Sequence, residues 1–393
     1  MLLLALLACP PAPDLKDPLE GLTLVQEDPS DNPLPGLSEE WMERFVAGDA
    51  HFESLFRESQ GLGPAYIRGS CNSCHADDAR GPGLVRKMVV LEGGEPAEDQ
   101  SALPFGHTER PYVAGGATQP ILPPTEADLL ITQRQPPAVF GRGYLEAVDE
   151  AAILEEEAAQ AAAGRVSGRV NRVCWDFEHP SDAFHDFQPG DCELIGRFGL
   201  KARVASLDGF AADAYQGDMS ITSDYRPMEL ANPDGLTDDY YPGVDVDPEV
   251  VQLTADYMRL LAIPRRAENP GAELFTQVGC ADCHSPSLRT RSDYPIADLA
   301  GIDAPIFTDL LLHDMGSSDG LNDSEAGPSE WKTAPLIGLR FLKNYLHDGR
   351  ANTVEDAIVA HDLPGSEASA SIAAFDALTE TQRAELLTSV ESL

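Results

Sequence analysis

Two pentapeptides in this chain share one pattern, Cys71-Asn-Ser-Cys74-His75 and Cys280-Ala-Asp-Cys283-His284. The chemistry that needs this spacing is covalent haem attachment. Two thiols must reach the two vinyl groups on one porphyrin edge, and the adjacent imidazole must fall beneath the iron as proximal ligand. Four cysteines could instead form a zinc site, or each pair a redox dithiol. Zinc-binding pairs normally lie ~12–20 residues apart, whereas most of the chain separates these two, and neither alternative needs a histidine directly after both pairs. The sequence therefore predicts two covalently bound c-type haems, one on Cys71, Cys74 and His75, the other on Cys280, Cys283 and His284. Among the other cysteines, Cys174 and Cys192 are either a disulfide, suited to an oxidising compartment, or two buried thiols.

These motifs need helices to hold them. SEEWMERFVAGDAHFESLFRE, 38 to 58, has a helical apolar pattern behind a Ser38 cap and leads into the first motif. Residues 76 to 145 are rich in Gly and Pro and read as long loops, while the Ala- and Glu-rich stretch 146 to 164 reads as one solvated helix. DPEVVQLTADYMRLLAIP gives a further helix ending near Pro264. From about residue 266 the order is helix (NPGAELFTQVG), motif, long loop and two closing helices. TETQRAELLTSVESL carries a Thr379–Gln382 capping box and an apolar stripe of Leu386, Leu387 and Val390. The expected fold is mainly α, two cytochrome c-like haem domains with long irregular loops. Its parts are 1–37, a signal or lipoprotein segment and Pro-rich tether; 38–265, an N-terminal haem domain with inserted loops; and 266–393, a C-terminal cytochrome c-like domain.

The chain has 393 residues, 42% of them hydrophobic, with 66 acidic against 27 basic side chains and a formal charge of −39. Such a balance excludes nucleic acid as a partner, because phosphate binding needs clustered Lys and Arg. It suits either solvation or docking of a basic redox partner. The start, MLLLALLACPPAP, resembles a bacterial lipoprotein signal in which Cys9 would be lipidated. The expectation is an exported protein, periplasmic or anchored by lipid at Cys9. No run approaches a membrane-spanning length, so membrane contact would come only through that lipid.

Several segments, in this order, resemble the di-haem oxidoreductase family, which is related to bacterial di-haem cytochrome c peroxidases. They are FVAGDAHFESLFRESQGLGPAYIRGSCNSCH, RQPPAVFGRGYLEAV, GRFGLKARVASL with YQGDMSITS, FTDLLLHDMG, and EWKTAPLIGLRFLKNYLHDGRANTVEDAIVAH. The resemblance implies a C-terminal haem that transfers electrons and has a second axial ligand on a helix after an HDG turn. With HDG at His347 to Gly349, that position falls on His361. The local pattern agrees: Val354, Ala357, Ile358 and His361 share one helical face. Asn352 or Thr353 can cap that helix, with Glu355 or Asp356 three residues on. Met315 is the competing ligand, and His313 and His347 read as anchors for loops or haem propionates.

In the family the first haem carries a removable histidine in the loop after its motif. Here residues 76 to 106 have no histidine, so either His107 substitutes or the distal side is open to peroxide or oxygen. The resemblance implies that RQPPAVFGRGYLEAV is the distal strip, with Pro137 and Phe140 shaping the pocket. Glu146 would move the proton that O–O cleavage requires, and Arg134 or Gln135 would polarise the leaving oxygen. The structural readings are a Glu146 that opens a helix and an Arg134 paired with a propionate. Trp331 and Trp175 are candidate bridges between the haems. The implied function is a periplasmic di-haem oxidoreductase of the peroxidase type. Electrons would enter at the C-terminal haem from a small redox protein, such as a cytochrome c or cupredoxin, and hydrogen peroxide would react at the N-terminal haem. Two further readings are an electron carrier with both irons saturated and an oxidase that uses a ferryl state on an organic or protein substrate.

Overall fold

The computed structural model describes residues 30–78, 83–181, 184–238, 240–265 and 271–393. Cys9, with most of the expected leader, lies outside the described residues, as do residues 266–270 at the expected domain junction. The helices are α1 (Glu39–Glu53), α2 (Arg142–Ala147), α3 (Glu150–Ala163), α4 (Leu207–Met219), α5 (Pro248–Leu260), α6 (Ala272–Gln277), α7 (Val354–Val359), α8 (Ser369–Asp376) and α9 (Glu380–Glu391).

α1 begins where the sequence places its cap, with the Ser38 hydroxyl accepting the Trp41 N–H. It packs along α5, burying Phe45 and Phe52 against Tyr257 at ring separations of 5.1 Å each. The close crossing needs Gly48: a Cβ there would stand 2.1 Å from the Leu253 carbonyl oxygen. The expected helix over 146–164 is two helices, because the Asp149 carboxylate accepts the Ala151 N–H and restarts the chain as an N-cap. α3 is also less solvated than its composition suggests, with Ile153 and Gln160 buried. α4 was not expected; its signal is the Ser206 cap, whose hydroxyl accepts the Gly209 N–H.

The stretch read as long loops contains a small sheet. β1 (Ala65–Tyr66), β2 (Val85–Glu92), β3 (Glu95–Pro96), β4 (Tyr112–Val113) and β5 (Leu129–Arg134) precede α2. β2 and β5 pair antiparallel from Val85↔Arg134 to Val90↔Leu129, β3 extends the other edge of β2, and β4 pairs with β1 just before the first Cys-x-x-Cys-His. The aliphatic runs VRKMVVLE and LLITQR carry the strand signal, which the surrounding Gly and Pro obscure in composition. Helix still exceeds strand, 31% against 15%, so the class is mainly α with a β element.

One large core joins Leu34, α1, α2, α4 and α5 to Leu288, Tyr294, Ile296, Leu299 and Leu310. A second core gathers Leu274, Phe275, Phe307, Leu339, Val354, Phe375, Leu386 and Val390. Cys174 and Cys192 are joined in a disulfide. It closes the loop that lays Phe184 against Trp41 and Tyr294. Among the described residues no helix is long and apolar enough to cross a membrane.

Candidate functional site

The first motif opens onto a solvent-connected cavity lined by Cys71, Cys74 and His75. Both thiols are free. His75 Nδ1 lies 2.8 Å from the Pro137 carbonyl oxygen, and burial drops the ring's pKa to about 4. A neutral ring that donates from Nδ1 leaves the Nε2 lone pair for a metal. Pro137 thus stands beside His75, so the strip expected opposite the histidine is on its own side of the cavity.

The three residues expected to work on an oxidant here do not line this cavity. Glu146 is fully buried and accepts from the Leu207 N–H (2.7 Å), from Arg259 Nε (2.5 Å) and from the Tyr294 hydroxyl (2.8 Å). Burial opposes its charge, yet Arg259 and His185 hold the carboxyl well below the usual range. A carboxylate so held stays ionised and positions the wall: its own carbonyl accepts from Arg197, which lines the cavity with Leu207. Arg134 is taken up by Asp319 and Asp323 at 2.6 and 2.7 Å. Gln135 belongs to the other half, its N–H donating to the His347 carbonyl at 2.6 Å. His107 is held by the Met88 carbonyl at 3.0 Å and does not reach the cavity. Among the described residues the first wall contains no histidine besides His75 and no carboxylate besides Asp218. Asp218 escaped notice because α4 did; burial raises its pKa, as does Asp213, against the pull of Lys87, Arg110 and Arg203.

The second motif opens onto a solvent-connected cavity lined by Cys280, Cys283, His284 and His361. His284 Nδ1 lies 3.0 Å from the Phe307 carbonyl and His361 Nδ1 lies 2.6 Å from the Ala357 carbonyl. Burial lowers both pKa values, that of His284 to about 4 with a further push from His361. Both rings can therefore present a free Nε2 to one space. The Thr353 hydroxyl caps α7 by accepting the Asp356 N–H, and Val354, Ala357 and Ile358 line the cavity with His361, which sits in the turn just past the helix. Gly349 lets the HDG turn meet Gln135: its φ is +75°, and a Cβ there would lie 2.7 Å from Gln135 Oε1. Met315 and Trp331 also line this cavity. His347 stacks on Trp331 at 3.7 Å between ring centroids and 13° between planes. His313 is clamped by Asp309 (2.9 Å) and Glu367 (3.0 Å). Trp175 lies instead among Phe177, Phe187 and Tyr225, away from both cavities.

Each cavity so combines two free thiols with an oriented, neutral histidine, a donor set that fits a haem. The two share a wall of Leu200, Lys332, Ala334, Pro335 and Leu342.

Residues 28–89 and 122–393 match the family described as "Di-haem oxidoreductase, putative peroxidase". The chain belongs to the di-haem oxidoreductase family. No curated protein matches it. Solved structures that this di-haem oxidoreductase is similar to include the hydrazine synthase of Kuenenia stuttgartiensis (15% identity over 92% of this chain and 90% of that one, TM-score 0.38). Another is the diheme peroxidase BthA of Burkholderia thailandensis (13% identity, 95% and 90% coverage, TM-score 0.39).

Proposed function

We propose that this di-haem oxidoreductase works as a peroxidase with divided labour. The second cavity would hold an electron-transfer haem, bound through Cys280, Cys283, His284 and His361. The first, built on Cys71, Cys74 and His75, would leave a coordination position for peroxide. The observation that carries the reading is the difference in histidines: His284 and His361 face one space, whereas the described wall of the first cavity offers only His75. The bound haems supply redox equivalents and the site of O–O cleavage.

The chain's own residues do the rest. Pro137 and Phe307 fix the tautomers of His75 and His284. Phe198, Phe210 and Ala211 give the first cavity an apolar stretch of wall, and Asp218, the one carboxyl group on its described wall and one whose pKa burial raises, is the proposed proton donor to a leaving oxygen. Ala334 and Pro335 form the shortest covalent stretch common to both cavities and are the proposed electron route, with Trp331 at its edge. The charge of −39 favours a basic electron donor such as a small cytochrome c or cupredoxin. Export, with lipid at Cys9 as anchor, is supported by the apolar start and by a disulfide suited to an oxidising compartment.

The test is spectroscopic. A pyridine haemochrome assay should count two haems per chain, and electron paramagnetic resonance of the oxidised protein should show one high-spin and one low-spin iron. Two low-spin irons would refute the peroxidase reading and favour a simple electron carrier. Asp218→Asn should lower peroxide turnover roughly 10²- to 10⁴-fold at unchanged haem content.

A further inference from the structure

Of the residues lining both cavities, Lys332 alone bears an ionisable group. Its backbone is fixed on both sides. The strand Glu330–Lys332 pairs with Leu312–Asp314 in the register Leu312↔Lys332, and the Lys332 N–H donates to the Leu200 carbonyl at 2.9 Å. The backbone therefore roots the side chain at the partition.

Its ammonium is short of partners. Among the described residues no carboxylate lies within ion-pair distance of Lys332 Nζ, and its polar contact is the Thr333 carbonyl oxygen at 3.5 Å, long for a hydrogen bond. Lys201 is the contrast: fully buried, where Lys332 is half-buried, it donates to the carbonyls of Leu321, Gly327 and Pro328 at 2.7–3.1 Å and meets Asp319 at 3.3 Å. Burial, helped by Arg142 and resisted by Asp309, brings the Lys332 pKa down to about 7. A half-buried amine in a cavity wall, without a carboxylate beside it, favours an anionic occupant. The second cavity has no carboxylate in its described wall, and the first has only Asp218. A haem carries its own anionic propionates.

We propose that Lys332 is a cation shared by the two haems, pairing with porphyrin carboxylates at the partition and biasing both irons at once. The inference rests on the two-haem reading above. A positive charge between the irons favours the reduced state of each, because reduction adds an electron to its neighbourhood. Lys332 is a positioning residue, and its effect appears in potentials rather than in haem attachment.

Redox titration of the haem-loaded protein, followed at each haem's absorbance, tests this. In Lys332→Met both midpoint potentials should fall together, in Lys332→Gln both should fall in the same sense, and Lys332→Arg should keep both near the wild-type values. Arg350→Met is the control, since Arg350 lines only the second cavity and should move one potential. With two haems counted by pyridine haemochrome, unchanged potentials in Lys332→Met and Lys332→Gln, or a shift in one haem alone, would overturn the shared role and leave the peroxidase reading standing. Fewer than two haems in the wild type would overturn both.

Discussion

Behind each cavity stands a buried cluster of charge, and the two clusters are built differently. At the first, Arg259 is fully buried and pairs with Glu146, Asp208 and Asp256, while Glu146 also holds Leu207 in the cavity wall. At the second, His313 lies between Asp309 and Glu367; Gln160 of α3 donates to Asp309, and Ser167 donates to Glu367. A guanidinium keeps its charge at every pH of interest, whereas an imidazolium depends on its neighbours to keep it. The first site is thus fixed by a permanent charge and has, among apolar and cationic wall residues, a single described histidine. The second is crowded with histidines. The contrast fits a site that must accept an outside ligand beside one that must keep its own.

The largest expected effect erases that contrast. His361→Ala should convert the low-spin iron to high-spin completely, so that both haems bind added imidazole or cyanide in an optical titration. Met315→Leu should leave the spin states as they are. If the assignments reverse, the second ligand is Met315. Since bis-histidine ligation sets a lower potential than histidine–methionine, His361→Met should also raise the potential of that haem alone.

Next in size is loss of the permanent charge. Arg259→Met takes the guanidinium from Glu146 and Asp208 and leaves Asp256 with Arg44 alone, and breaking a buried pair costs ~3–5 kcal/mol. The expected loss of unfolding free energy is at the upper end, about 5 kcal/mol, read from urea melts. The guanidinium itself does not titrate in the working range of pH, so the charge it supplies in the wild type is constant.

How much of this was visible in the sequence depends on how local the signal is. The haem motifs, the caps Ser38, Thr353 and Thr379, and the lining face of Val354, Ala357, Ile358 and His361 are set within a few residues and were legible. β2 and β5 were hidden by turn-rich flanks, and α4 by an Ala–Gly–Asp composition of modest helix propensity. The side of the first cavity on which RQPPAVFGRGYLEAV lies is a tertiary fact, shown by the hydrogen bond between His75 and the Pro137 carbonyl. Glu146 looked catalytic because a carboxylate near a haem is chemically apt, but Arg259 lies more than a hundred positions away and claims it. Lys332 carries no signal at all until two cavities meet at it.

A smaller effect, and one that depends on pH, belongs to the second cluster. Burial favours the neutral ring of His313, but Asp309, Cys283 and Glu367 outweigh it and push its pKa up to about 12. A histidine raised in the folded state stabilises fully below its ordinary value near 6.5 and loses that contribution as pH rises toward 12. His313→Gln, which keeps some hydrogen bonding, should cost about 3 kcal/mol at neutral pH. The gap between wild type and variant should shrink as pH is raised from 7 to 10, by at most about 1.4 kcal/mol for each unit. A constant gap would mean that the ring is held neutral and the second cluster behaves like the first.

The smallest effect asks whether the two regions unfold separately. Thr379→Ala removes a capping box from α9, which sends Leu386 into the second core and Val390 to the second cavity; Ser38→Ala removes a single cap from α1, which packs beside the first. Each should cost about 1 kcal/mol, Thr379 slightly more because its hydroxyl accepts the Gln382 N–H and also donates to Gln382 Oε1. The large core crosses from α1 and α5 to Tyr294 and Leu310, downstream of the second motif. Cores so interleaved should melt together, and both substitutions should lower one shared transition seen in the absorbance of both haems. If instead Thr379→Ala shifts only the second haem's transition and Ser38→Ala only the first's, the two sites are independent folding units, and the charge shared at Lys332 would join two bodies rather than tune one.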